Sequence, residues 1–154
     1  MKSIWLGQNP QQAKYIFILP NLPEWHSAMD NLKPDVADLI QRNGNHWRKI
    51  LTIMAKLTVT NGNDWRVHRD HSLFEQLAVV FDIASLEKVK PLSEHTLVFI
   101  VGRKLRAELP IAEESTKLNY ECWWHRNYIW CPYLDYRQFP NALIAELKGY
   151  VLEK

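Results

Sequence analysis

Three short segments of this chain are apolar at nearly every position, and they constrain the fold more than any other feature. They cover residues 15–19, 97–101 and 128–132. Continuous apolar runs of strand length are typical of strands that are buried on both faces. Because helical patterns separate them, we expect three parallel neighbours in one sheet. The sequence therefore predicts an α/β fold, a three-layer αβα arrangement with a mostly parallel central sheet, in a single domain spanning residues 1–154.

The clearest helical pattern follows Asn45, which can cap a helix. Its apolar stripe recurs at helical spacing and consists of Trp47, Ile50, Leu51, Met54 and Leu57. Ser72 and Glu75 have the spacing of a capping box, which predicts a helix over residues 72–83. The other predicted helices cover residues 34–43, 103–109 and 140–151. A short strand is expected over 57–60, and a hairpin is expected between 118–124 and 128–132.

Composition excludes several classes of protein. The net charge is only +2, and hydrophobic residues make up 47% of the chain, so neither a strongly basic nucleic-acid protein nor a disordered chain is indicated. The first residues turn polar too soon for a signal peptide, and no apolar run is long enough to span a membrane. We therefore expect a cytoplasmic protein that needs no cofactor. Its two cysteines, Cys122 and Cys131, are expected to be buried free thiols.

Positive charge is concentrated in one stretch. Between Arg42 and Arg69 there are six basic residues and one acid, Asp64. Two similar strings lie in this stretch, Asn43–Arg48 and Asn61–Arg66, and each places an Asn-Gly turn before a Trp-Arg pair. Such a stretch could bind phosphates through Arg48 and Arg66. The alternative is a solvated helix face with two ordinary turns whose tryptophans cover the edge of the core.

Aromatic residues are densest in a second stretch. Eight of the eighteen aromatic residues fall between Tyr120 and Phe139. Ligands of parallel sheets bind beyond the carboxyl ends of the strands, and the loop over residues 132–139 leaves such an end. Tyr133, Tyr136 and Arg137 could form a stacking platform, with Asp135 handling a proton. The alternative is a packed loop with a surface ion pair.

Other catalytic and metal motifs are weak in this sequence. His68, His71 and Glu75 form a candidate ligand set, but the predicted helix starts at Ser72 and leaves His68 outside it. We therefore expect no metal there. The chain contains no phosphate-binding loop, dinucleotide fingerprint, nucleophile elbow or Cys-x-x-Cys pair.

The order of elements resembles the uracil-DNA glycosylase superfamily. Residues 45–51, Asn-His-Trp-Arg-Lys-Ile-Leu, are similar to the start of a helix in mismatch-specific members. Residues 98–104, Val-Phe-Ile-Val-Gly-Arg-Lys, look like their strand followed by Gly-Lys, and residues 128–150 match a terminal strand, loop and helix. The resemblance implies that Asn21 positions or activates water. The second family motif, His-Pro-Ser or Asn-Pro-Ser, is reduced here to Cys131-Pro132-Tyr133, so the groups that grip the extruded base are missing.

Two functions are compatible with these features. The first is a glycosylase-like recogniser of nucleobases in single-stranded or damaged DNA, with altered or lost catalysis. In that reading Asn21 and Asp135 are the catalytic candidates, and the ligand-binding candidates are Trp47, Arg48, Arg103, Tyr133, Tyr136 and Arg137. The second is a non-catalytic scaffold that docks a protein partner through an aromatic patch. Salt dependence separates the two, because only phosphate binding releases counterions.

Overall fold

The computed structural model describes residues 5–26, 29–83 and 95–152, and its strands form one mixed sheet. The strands are β1 (Trp5–Gly7), β2 (Tyr15–Ile18), β3 (Leu77–Val80), β4 (Leu97–Val101), β5 (Thr116–Lys117), β6 (Trp123–His125) and β7 (Tyr128–Cys131). Their order across the sheet is β1-β3-β2-β4-β7-β6-β5.

The three apolar segments occupy the centre of the sheet, as predicted. β2 pairs in parallel with β4, and β4 pairs in parallel with β7. Phe17 lies opposite Phe99 in this register, and their rings stack with centroids 4.3 Å apart. Stacked aromatic pairs of this kind stabilise a sheet beyond the area that they bury.

The predicted three-layer fold with a mostly parallel sheet is wrong. Three strand pairings are antiparallel, β1 with β3, β5 with β6 and β6 with β7. β1 extends the parallel centre on one side, and β6 and β5 extend it on the other. These three outer strands are only two or three residues long, because a strand near the edge has less surface to bury. Only three α-helices occur in the described part of the chain, α1 (Val36–Thr58), α2 (Trp65–Val67) and α3 (Asn141–Leu147).

Helix α1 covers one face of the sheet and combines two predicted helices. Asp35 caps its start, because the carboxylate accepts a hydrogen bond from the backbone N–H of Asp38. Gly44 interrupts the helix with φ 68° and ψ −151°, which produces a kink between the two predicted segments. The predicted stripe from Trp47 to Leu57 is fully buried against the sheet. The helix therefore carries the chain back from the end of β2 to the start of β3.

Three local predictions are wrong, for the same physical reason. Residues 77–80 form β3 instead of the second half of a helix, because Leu-Ala-Val-Val is buried on both sides of the sheet. Residues 57–60 end helix α1 instead of forming a strand. After β4 the chain makes only a 3₁₀ turn, Lys104–Ala107, where a helix was predicted. In each case tertiary packing overrides the local pattern.

The opposite face of the sheet is covered differently. Among the described residues it packs against Leu105, Leu109 and Ile111, from the 3₁₀ turn and the coil that follows it. Trp130 points to this face, and its indole N–H donates to the carbonyl of Leu109 at 3.0 Å. The predicted hairpin of β6 and β7 and the predicted terminal helix α3 are both present. No helix in the described part of the chain is long and apolar enough to cross a membrane.

Both cysteines are buried and free, as predicted. Burial raises the pKa of the Cys122 thiol to about 12 and that of Cys131 well above its ordinary value. Thiols with such pKa values are almost fully protonated near neutral pH, so they act as small apolar core groups.

Candidate functional site

The parallel centre of the sheet contains a topological switch point between β2 and β4. The chain leaves β2 towards β3 on one side, whereas it leaves β4 towards β7 on the other. Connections that diverge in this way open a crevice at the carboxyl ends of the two strands, and ligands of α/β sheets bind in such crevices. The residues that follow β2, β4 and β7 therefore form the candidate site.

Tyr133 lies across this crevice. It follows β7, yet its ring lies against Gly102 at the end of β4, where an added Cβ would be 3.5 Å from the ring. Its hydroxyl oxygen is 3.3 Å from the Asn21 side-chain nitrogen, beyond the end of β2, and 2.6 Å from Nε2 of His46 on α1. Four separate segments thus meet at one tyrosine.

The protons in this cluster can be assigned from its donors and acceptors. Burial raises the pKa of Tyr133, and the nearby Asp135 carboxylate also raises it, although the hydrogen bond from Asn21 lowers it. The phenol is therefore protonated at neutral pH. Its oxygen accepts from the Asn21 amide, and the phenol proton remains available for donation to an acceptor nitrogen at Nε2 of His46.

A stripe along α1 continues from this crevice. His46, Lys49 and Lys56 are spaced i, i+3 and i+10, which places them on one side of a helix. The Lys49 ammonium is 5.6 Å from the ring centroid of Tyr136, which is 48% exposed. From His46 to Lys56 the stripe is about 15 Å long, at 1.5 Å per residue.

The far end of the stripe borders a groove with a volume of about 450 Å³. Its lining includes the apolar side chains of Ile53, Phe139 and Ile144 and the aromatic rings of Tyr136 and Trp65. Lys56 lies on the rim, where its ammonium donates to the Asn141 side-chain oxygen at 3.0 Å. The groove therefore combines apolar side chains, two aromatic rings and a fixed cation.

Three cations surround the Trp65 ring. The distances to its centroid are 5.0 Å for Nζ of Lys56, 4.5 Å for Cζ of Arg66 and 5.4 Å for Cζ of Arg69. Arg69 is also held by the hydroxyl of Thr52 and the carboxylate of Asp70. Cation–π contacts offset part of the repulsion between these like charges. We call the surface formed by His46, Lys49, Lys56, Trp65 and Tyr136 the α1 track.

Two of the predicted site residues have structural roles. Trp47 is only 2% exposed and belongs to the core beneath α1, so it is not on the ligand-accessible surface. Both oxygens of Asp135 accept hydrogen bonds from its own loop, from the backbone N–H groups of Arg137 and Gln138 and from the Gln138 amide. This carboxylate shapes the loop that presents Tyr133 and Tyr136.

The predicted basic residues are all on the surface but in different surroundings. Arg48 is exposed on α1, and Arg137 is exposed in the aromatic loop. Arg103 forms an ion pair with Glu121, and the side chain of Arg103 is 75% exposed. Its positive charge is therefore partly balanced, whereas Lys49 and Lys56 form no ion pair with the part of the chain that the structure describes.

Sequence reasoning missed the contributions of His46, Lys49, Lys56 and Trp65. In the sequence, Lys49 and Lys56 are only part of a basic stretch. The signal that could have found them is their i, i+7 spacing off the apolar stripe, combined with the aromatic loop that lies beside them. That second element is remote in sequence, so only the fold brings the two together.

The predicted absence of a metal at His68 and His71 stays a prediction, but the surroundings of His68 are informative. Both ring nitrogens are within hydrogen-bond distance of hydroxyl groups, those of Thr58 and Ser72. Within residues 5–26, 29–83 and 95–152, no group of three His, Cys, Asp or Glu side chains has the arrangement of a metal site.

The fold and the α1 track together describe a mixed-sheet α/β protein with a cationic, aromatic surface beside its switch point. The chain belongs to the DUF6942 family, a family of unknown function, whose model matches residues 4–152. No curated protein and no solved structure matches the chain.

Proposed function

We propose that this protein recognises single-stranded nucleic acid along the α1 track. The observation that carries the proposal is that an exposed tyrosine, Tyr136, and a tryptophan surrounded by cations, Trp65, share one groove with Lys56. Proteins that bind single strands combine a cationic path for the phosphates with aromatic rings on which bases stack. The track has both parts within about 15 Å of helix.

Each part of the track has a separate task in this proposal. Tyr136 is the stacking platform, because nearly half of its surface is open to solvent. Lys49, Lys56 and Arg66 bind phosphates, and the exposed Arg48 adds a further contact at the side of α1. Tyr133, with Asn21 and His46, offers hydrogen-bonding groups to a base that enters the switch-point crevice.

We propose recognition without efficient base removal. The glycosylase resemblance motivates Asn21 and Asp135 as water-orienting groups, but both Asp135 oxygens already accept hydrogen bonds. The Asn21 amide donates to Tyr133. Incubation with a uracil-containing single strand should therefore yield a complex and no abasic product. An abasic product that disappears in Asn21→Ala would instead support a glycosylase.

The decisive experiment is a titration of a short labelled oligothymidylate at low salt, followed by fluorescence anisotropy. Tyr136→Ala should weaken binding by about 1–3 kcal/mol, the usual worth of one stacked base. The matched control is Tyr120→Ala, because Tyr120 is also 48% exposed but lies outside the track. The control should bind like the wild-type protein.

A salt series tests the phosphate contacts. Lys56→Ala should reduce the slope of log K against log salt by about 0.7, as the loss of one contact to a single strand does. Lys117→Ala is the matched control, because Lys117 also lies over a tryptophan, 5.4 Å from Trp123. Its slope should be unchanged.

The outcomes separate the candidate functions. Undetectable binding by the wild-type protein at low salt removes the nucleic-acid proposal. If a protein partner instead binds the track with little salt dependence, the docking scaffold is supported, since hydrophobic contacts release few counterions. A cytoplasmic location is part of the proposal, because buried free thiols are typical of reducing compartments.

A further inference from the structure

A second polar cluster lies at the other end of α1, at the amino edge of the sheet. His68 is held there between two hydroxyl groups. Its Nε2 is 2.9 Å from Oγ1 of Thr58, and its Nδ1 is 2.7 Å from Oγ of Ser72. The Ser72 hydroxyl thus contacts His68, where the sequence had predicted a capping box with Glu75. No side-chain cap bond is present at Ser72.

The hydrogen-bond geometry assigns the protons of this cluster. Thr58 donates its hydroxyl proton to the carbonyl of Met54 at 2.8 Å. Its oxygen must then accept from Nε2–H of His68, so a neutral ring has its lone pair on Nδ1. That lone pair faces the Ser72 hydroxyl at 2.7 Å, a shorter contact than the 3.4 Å between the same hydroxyl and the carbonyl of His68. The three side chains have the arrangement of a nucleophile, a base and a group that orients the base.

These side chains line a cavity with a volume of about 360 Å³. Thr58, His68 and Ser72 form part of its wall, and Asn63 and Gln76 contribute side-chain amides. Tyr15, Val59 and Val67 add apolar surface. The volume is at the lower end of the range for small-molecule sites.

We propose that Ser72 is a nucleophile activated by His68, and that this cavity accepts small carboxylic esters with short acyl groups. The apolar wall would hold the acyl chain. The side-chain amide of Asn63 or Gln76 would donate to the carbonyl oxygen as negative charge develops on it.

The charges around His68 suit a general base. Burial lowers the pKa of His68, and Lys148 also lowers it, so the ring is neutral near pH 7. Glu75 acts in the opposite sense and raises the pKa of His68. This exposed carboxylate therefore favours the imidazolium that forms during the reaction through its charge alone, since both ring nitrogens of His68 contact hydroxyl groups.

The proposed reaction balances without any further reactant. Oγ of Ser72 forms a bond to the ester carbonyl carbon, and its proton moves to Nδ1 of His68. The carbon–oxygen bond to the leaving group breaks, and Nδ1–H returns the proton to the departing alkoxide. Water then attacks the acyl-serine by the same route, which releases the carboxylic acid and restores the Ser72 hydroxyl.

A fluorophosphonate probe tests the proposal, because it phosphonylates activated serines with loss of fluoride. Intact-mass and peptide mass spectrometry of the full chain should find one adduct, on Ser72. Ser72→Ala should abolish the adduct. His68→Gln should slow its formation by about 100-fold or more, the usual contribution of a general base. The rate of p-nitrophenyl acetate hydrolysis should fall in the same two variants, Ser72→Ala and His68→Gln.

Control variants separate activation from folding. His71→Gln alters the neighbouring histidine, which lies outside this hydrogen-bond chain, and should label like the wild-type protein. Thr58→Ser retains the oxygen that accepts from Nε2–H and should remain active. Thr58→Val removes that oxygen and should lower the labelling rate, with an unchanged circular-dichroism spectrum.

Three results would overturn the proposal. They are the lack of any adduct on the wild-type protein, an adduct that persists in Ser72→Ala, and equal labelling rates for wild type and a folded His68→Gln. Because burial lowers the pKa of His68, the wild-type labelling rate should rise with pH as the ring loses its proton. The rate should reach its plateau at a lower pH than it would for an ordinary histidine. The charged side chains near His68 are Asp64, Glu75 and Lys148. The pH profile is therefore measured on a protein in which all three are unchanged.

Discussion

The strings Asn43–Arg48 and Asn61–Arg66 share five of six residues, yet the fold uses them in opposite ways. In the first, Trp47 is 2% exposed and packs in the core. In the second, Trp65 is partly buried, lines a surface groove and is surrounded by three cations. The same local sequence therefore produces a core residue in one place and a candidate ligand-binding residue in the other.

The surroundings of the two turns explain this difference. Asn43 exchanges hydrogen bonds with the backbone of Glu24, which ties the first turn to the loop after β2. The helix that follows is long and lies along the sheet, so its tryptophan is buried. The second string leads into the short helix α2, which Asp64 caps through the backbone N–H of Arg66. A helix of one turn covers little surface, so Trp65 stays at the edge.

The largest expected effect is on stability, and it contrasts the two tryptophans. Trp47→Ala should lower the free energy of unfolding by about 3–5 kcal/mol, because it leaves a cavity in the core. Trp65→Ala should cost much less, since its ring is partly solvated. Urea unfolding followed by circular dichroism measures both. Equal losses of unfolding free energy in the two variants would contradict the different roles assigned to Trp47 and Trp65.

The next effect concerns the two glycines. Gly44 has φ 68° and ψ −151°, a region that other residues rarely adopt, so Gly44→Ala should destabilise by about 1–3 kcal/mol. Gly62→Ala places a side chain at φ 88° in an exposed turn and should cost about 1 kcal/mol. Thermal unfolding of both variants ranks them. A more stable Gly44→Ala would show that the kink straightens readily.

Trp65→Ala should also weaken binding of the labelled oligothymidylate, by about 0.5–1 kcal/mol. The reason is that Lys56, Arg66 and Arg69 lose the ring that holds them, and exposed cation–π contacts have about this magnitude. Anisotropy at low salt measures the loss. The conservative variant Trp65→Phe keeps an aromatic face and should retain most of the affinity. If Trp65→Ala binds the oligonucleotide with wild-type affinity, the groove is not part of the binding site.

The smallest effect concerns the two arginines that end the strings. Arg48→Ala and Arg66→Ala should each reduce the salt slope of oligonucleotide binding by about 0.7, with stability changes within about 0.5 kcal/mol. The affinity should fall evenly across base sequences, because phosphate contacts do not read bases. If only Arg66→Ala changes the slope, the phosphate contacts are confined to the end of the α1 track near Trp65.

Several features follow from local sequence. The strands β2, β4 and β7 follow from continuous apolar runs, which are stable only when both faces are covered. The two parts of α1 follow from helical periodicity, and the hairpin and terminal helix follow from turn residues and Pro140. These signals are local, because each residue's burial can be inferred from its neighbours in the chain. The density of aromatic residues between Tyr120 and Phe139 likewise indicates the loop over residues 132–139 as a candidate site.

Tertiary structure decided what no single segment encodes. The antiparallel edge strands and β3 depend on partners that are remote in sequence, and the same apolar residues fit a helix or a strand until those partners are known. The α1 track exists because Tyr136 and Trp65, far apart in the chain, pack beside one helix. The roles of Trp47 and Trp65 were decided in the same way, since burial depends on which surface covers a side chain.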